Sequence, residues 1–194
     1  MVAEKTKQII TDVASKLFVE KGFHETTMDE IAQVAKKAKG SLYYHFKSKE
    51  ELFAAVIEKE MKNLKEVLSS ITSDQTLWAE EKIKQYLLTR MKTLNMMPCY
   101  QEALRLNMHL NNTHIKKIRH ELELFEKVNL KRILLQGIEQ GDFEDITRSV
   151  DIIIEVFNIV QKGLETPFFL QGNYKKYAYH FDDMINILIK GLRK

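Results

Sequence analysis

Apolar residues recur along this chain at spacings of three and four almost without a break, the period of helices that bury one face. Ile9, Ile10, Val13, Ala14, Leu17 and Phe18 form the first stripe, and Gly22 follows where a left-handed residue can end a helix. Thr27-Met-Asp-Glu30 has the form of a capping box, in which the hydroxyl accepts from the third helical N–H. It opens a short helix with Met28, Ile31, Ala32 and Ala35 inward. A third short helix is predicted from Ala38 or Lys39, anchored by Leu42 and Phe46. Ser48-Lys-Glu-Glu51 is a second capping box, and the long helix it opens carries Leu52, Phe53, Val56, Ile57, Met61, Leu64 and Leu68.

The remainder reads as longer helices. One begins near residue 76 and carries Ile83, Tyr86, Leu87 and Met91. Met96-Met-Pro98 interrupts it, since proline lacks an N–H and disfavours helix just before itself. An element over 99–110 follows, then a long helix from Ile115 to Ile138 that ends at Gly141. Two more are predicted over 145–170 and 174–192. No segment has the period of a strand. The pattern predicts an all-α protein of about nine helices, with a three-helix N-terminal domain over 1–50 and a larger helical domain over 51–194.

Composition narrows the class. With 194 residues, 44% hydrophobic and 29% charged, the chain can bury a sizeable core. The single cysteine, Cys99, excludes an internal disulfide framework and fits a reducing compartment. No apolar run approaches membrane-spanning length and the N-terminus lacks a signal-like segment, so a cytoplasmic location is expected. His109, His114 and His120 lack the i,i+4 spacing of a helical metal pair, and no HExxH, GxSxG or phosphate loop occurs. No metal, cofactor or enzymatic activity is expected.

Charge is distributed unevenly. The net charge is only +3, yet the segment from Lys36 to Lys49 holds five lysines and a histidine with no acid. Two short helices joined by a tight turn form a helix-turn-helix, whose second helix enters the DNA major groove. The residue types suit that task. Gly40 lets the backbone come close, and the N–H groups at the start of the helix attract phosphate. Lys39 can reach guanine O6/N7 or phosphate, and Ser41 can donate to either. Tyr44 and His45 have tips suited to phosphates, and Tyr43 can meet a base or a thymine methyl.

The strings Thr26-Thr-Met-Asp-Glu-Ile-Ala32, Lys39-Gly-Ser-Leu-Tyr-Tyr-His-Phe46 and Lys47-Ser-Lys-Glu-Glu-Leu52 closely resemble the DNA-binding segment of the TetR family of transcriptional regulators. The resemblance covers residues 5–55 and extends only to helical layout beyond residue 60. It implies DNA-contact roles for Thr27, Lys39, Gly40, Ser41, Tyr43, Tyr44, His45 and Lys49. It also implies a homodimer paired through the last two helices, a palindromic operator, and repression relieved by a small effector. The broad apolar faces of 145–170 and 174–192 agree with that pairing. The turn departs from the family pattern, with Lys36-Lys-Ala38 where glycine, an apolar residue and a hydroxyl cap are usual. Lys36 is expected to take a positive φ, Ala38 to leave the helix uncapped, and the recognition helix to be loose until DNA orders it.

Candidate effector-pocket residues are Trp78, Tyr86, Met91, Met97, Tyr100, Met108, Phe125 and Phe157, whose adaptable walls suit an apolar or aromatic ligand, with His109 or Asn107 as polar partners. The alternative reading is a helical small-molecule-binding protein whose DNA-binding domain has degenerated, motivated by the same irregular turn.

Overall fold

The computed structural model describes residues 2–194, apart from the side chains of Val2, His109 and Leu110. His109 therefore lies outside the described residues. The helices are α1 (Val2–Glu25), α2 (Met28–Val34), α3 (Lys39–His45), α4 (Lys49–Ser73), α5 (Ala79–Asn95), α6 (Pro98–Arg105), α7 (Met108–Asn111), α8 (Thr113–Gln140), α9 (Val150–Glu165) and α10 (Tyr174–Lys190), with a π-helical turn at Thr166–Leu170 between the last two. Nine of these have seven residues or more, and α7 is a single turn. Among the described residues there is no strand, only an isolated bridge between Phe143 and Arg193.

Packing divides the chain into two units. The first comprises Met1–Lys62 with Met97–Arg119, and the second Asn63–Met96 with His120–Lys194. In the first, Phe18, Phe23 and Phe53 form an aromatic core, with Phe18 edge-on to Phe53 at 4.9 Å. Gly22 takes φ +81° and interrupts α1, and the buried Thr26 hydroxyl donates to its carbonyl at 2.8 Å. Pro98 stands at the start of α6, where its missing N–H is harmless. The predicted element over 99–110 splits because Asn107 adopts a left-handed conformation between α6 and α7.

Two N–H groups at the start of α6, of Cys99 and Tyr100, donate to the Glu60 carboxylate on α4 at 3.3 and 2.8 Å. Burial outweighs those bonds and pushes the Glu60 carboxyl up to about 7. Burial also pushes the Cys99 thiol up, away from reactivity.

In the second unit α5 lies against α10. Gly137 on α8 is required by close approach, since a Cβ there would stand 2.2 Å from the Phe143 ring. The residues after α10 close back on the segment after α8. Glu144 N–H donates to the Leu192 carbonyl at 2.8 Å, and the Arg193 guanidinium pairs with Glu80. The helix predicted from 145 begins at Val150, because Asp145 accepts from the N–H and hydroxyl of Thr147 and holds a turn there. At the other end Pro167 removes an N–H, and the helix slips into the π-helical turn with Phe168 and Phe169 buried.

α9 is inverted relative to an ordinary surface helix. Its buried positions are Val150, Ile154, Asn158, Gln161 and Glu165, polar over the second half. Ile152, Val156, Ile159 and Val160 point outward and are exposed.

Candidate nucleic-acid interface

Thr27 caps α2 through its hydroxyl, which accepts from Glu30 N–H at 3.2 Å. The Glu30 carboxylate does not complete a reciprocal box but pairs with Lys21 on α1. Ser48 accepts from Glu51 N–H at 3.2 Å, and the Glu51 carboxylate accepts from Lys47 N–H at 2.6 Å. These local bonds fix both ends of the segment that carries α3.

The turn between α2 and α3 is a Schellman motif. Lys36 N–H donates to the Gln33 carbonyl at 3.1 Å and Lys37 N–H to the Ala32 carbonyl at 3.0 Å. The residue required to be left-handed is Lys36, at φ +53°. Ala38 occupies the N-cap of α3 in an extended conformation and makes no side-chain cap bond. Both irregularities read from Lys36-Lys-Ala38 are present.

Leu42 on α3 and Phe46 just after it are buried and fasten the helix to the core. The opposite side presents Lys39, Gly40, Tyr43 and Tyr44, all exposed, with Tyr44 74% exposed. Ser41 and His45 are half-buried at its margins. A Cβ on Gly40 would meet nothing, so that face is open. Lys39 is not idle, because its ammonium bridges to Asp29 on α2 at 2.8 Å and lies 6.0 Å from the Tyr43 ring. That bond raises the Lys39 ammonium above its ordinary value. Lys49 is engaged further. It donates to the carbonyls of His24 and Thr26 at 3.1 and 2.9 Å and stands 4.6 Å over the Phe23 ring. It therefore joins the end of α1 to the start of α4, a role that sequence spacing gives no sign of.

The pocket candidates are dispersed. Met97, Tyr100 and Met108 belong to the first unit, where Arg119 bonds the Tyr100 hydroxyl. Trp78 is largely exposed at the start of α5, and Phe125 is half-buried on α8. Tyr86 and Met91 are buried on α5. An apolar cavity of about 120 Å³ lies within the second unit, bounded by Ile83, Leu87, Leu130, Leu134, Ile154 and Phe157 among others. Of the candidates, Phe157 lines it. The remaining walls are aliphatic, the composition of an ordinary core, so nothing in the sequence singled them out.

A short uncapped helix with a basic and aromatic outer face, carried on a three-helix base, defines a helix-turn-helix protein. Residues 10–56 match the family described as bacterial regulatory proteins, tetR family. The HTH-type transcriptional regulator QacR of Staphylococcus aureus is 38% identical over 78 residues, 40% of this chain and 36% of QacR. The chain thus aligns with about a third of that relative's length. Among solved structures, a transcriptional regulator from Cytophaga hutchinsonii superimposes with TM-score 0.78 at 22% identity, covering 96% of this chain and 98% of its own. The regulator FadR from Bacillus subtilis, in complex with stearoyl-CoA, superimposes with TM-score 0.68 at 20% identity, covering 94% and 96%. At those identities the likeness concerns the fold.

Proposed function

We propose that this chain is a ligand-responsive transcriptional regulator, a repressor that binds a palindromic operator as a homodimer and is released by a small effector with an apolar or aromatic body. The observation that carries the reading is α3. Its outer face is Lys39, Gly40, Tyr43 and Tyr44, and no acid lies between residues 36 and 49. Such a face complements phosphates and base edges. Thr27, Ser41 and His45 flank it as backbone contacts, while Lys49 positions the start of α4 beneath it.

The dimer surface is the outward stripe of α9 and α10. Ile152, Val156, Ile159, Ile187 and Leu188 are each 45% exposed or more. Apolar groups at helical spacing on two adjacent helices fit a second copy of the same face. A two-fold pair then presents two copies of α3 to related half-sites.

The test is selection of genomic fragments by the purified protein, followed by fluorescence anisotropy on the fragments recovered. A palindromic site should emerge, bound with an affinity that falls steeply with salt as phosphate contacts release counterions. Tyr44→Ala should weaken all sequences alike, and Lys39→Ala should also change base preference. Equal binding of random DNA and every recovered fragment would sink the reading.

A further inference from the structure

The second unit holds two apolar spaces that adjoin. One is the cavity of about 120 Å³. The other is a groove of about 390 Å³ bordered by α9, α10 and Leu87 of α5. Leu87, Ile153, Phe157 and Leu188 border both. A dry apolar cavity of about 150 Å³ admits benzene, whereas sites for larger ligands measure about 300–1,000 Å³. The cavity alone is small for an effector, and together with the groove it reaches the usual size.

Every described side chain bordering either space is apolar, with one exception. Gln161 of α9 borders the groove, is 3% exposed, and its amide nitrogen is buried without a hydrogen-bond partner. A buried donor left unpaired is costly, and native proteins keep few of them. Gln161 follows Phe157 by one turn of α9 and Ile154 by two, about 6 and 10 Å along the axis. A chain with one end in the cavity therefore passes Phe157 and brings its other end to the amide. On the groove's rim the exposed Val156, Val160 and Met184 continue the outward stripe of α9 and α10. The apolar side chains of that stripe offer no acceptor, so a second copy can roof the groove but cannot satisfy Gln161 with them.

We propose that cavity and groove form one effector site, and that its ligand is a neutral, unbranched alkyl chain ending in a single hydrogen-bond acceptor such as a ketone or ester carbonyl. The chain runs from the cavity past Phe157 into the groove, and the carbonyl oxygen accepts from the Gln161 amide. Among the described residues no charged side chain borders the site, so a carboxylate or an ammonium at that end loses hydration without gaining a counter-charge. This inference rests on the reading of the second unit as effector-binding.

The test titrates 2-octanone, octanoate and octylamine calorimetrically into the full-length protein at neutral pH, with 2-pentanone, 2-hexanone and 2-heptanone as shorter ketones. Affinity should rise about fourfold for each methylene added from 2-pentanone to 2-octanone, as expected for burying one CH₂. The ketone should bind at least about tenfold more tightly than either charged chain of the same length. Gln161→Leu should weaken 2-octanone by about three- to tenfold. That variant gives up no hydrogen bond of the free protein, so it keeps the test sound if Leu134→Phe unfolds. Leu134→Phe narrows the cavity and should abolish the gain from the last methylenes. No binding by any chain, the result if a second copy's side chains fill the groove, overturns the inference. So does tighter binding of a charged chain, or a 2-octanone affinity unchanged in Gln161→Leu. No DNA is present, so these failures are separate from a failure to find an operator. An effector that releases DNA and binds both variants as it binds the natural protein would overturn this site alone and leave the effector-binding reading in place.

Discussion

Lys36 and Ala38 set how firmly α3 is held in the free protein, and replacing them measures it. A lysine at the left-handed position of a Schellman motif is less favourable there than glycine by about 1 kcal/mol. An alanine at an N-cap gives up about 1 kcal/mol relative to serine. Taken as additive, the two effects come to about 2 kcal/mol in Lys36→Gly/Ala38→Ser. If α3 opens locally, that change slows amide exchange over residues 39–45 by about thirtyfold, since each 1.36 kcal/mol is a factor of ten. Exchange measured by NMR or mass spectrometry should show α3 of the natural sequence less protected than residues 9–18 of α1. It should show the double variant closing that gap. Equal protection of α3 and α1 in the natural sequence, or an unchanged α3 in the double variant, refutes the reasoning.

Glu60 makes stability depend on pH. Its carboxyl is pushed up to about 7, above the usual unfolded value near 4.3, so between those limits the folded state retains a proton that the unfolded state has lost. Stability from this group is full below pH 4.3 and falls as pH rises to 7, by an amount on the order of 3 kcal/mol; denaturant melts of Glu60→Gln should lose that slope. Gly137→Ala should lower the melting temperature despite about 1 kcal/mol of improved helix propensity, because displacing the buried Phe143 ring costs about 1–3 kcal/mol; an unchanged or higher melting temperature would contradict the packing. Asp29→Asn releases Lys39 from its exposed bridge and should raise operator affinity a few-fold at low salt, an effect that disappears in the Lys39→Ala background.

The helix-turn-helix end was legible because its signals are local. Thr27 and Ser48 lie within three residues of the N–H groups they cap, and Leu42 and Phe46 are inward at helical spacing. The strain at Lys36 could be read because a Schellman turn leaves one position with no freedom. Lys49 could not be read, because the carbonyls that hold it lie 25 and 23 residues earlier. The same limit hid the buried face of α9. Asn158, Gln161 and Glu165 look like a solvated side until Arg90, far off in sequence, is brought opposite. Of the methionine and aromatic pocket candidates Phe157 lines the apolar cavity, and its other walls are isoleucine and leucine, which composition cannot tell from ordinary core.

The bonds from Cys99 and Tyr100 to Glu60 also bear on how the chain is made. They complete a unit whose two parts, Met1–Lys62 and Met97–Arg119, are separated by a segment that belongs elsewhere. On the ribosome, α1 to α3 emerge long before α6 exists. Until residue 100 is synthesised, Glu60 has no partner, and the nascent helices lack one wall of their packing. Closing that unit requires a loop of some forty residues, so its final step is non-local even though most of its helices are built from near neighbours. A ribosome stalled before residue 98 should therefore display α1 to α3 without their native protection, and one stalled well past residue 119 should display them with it.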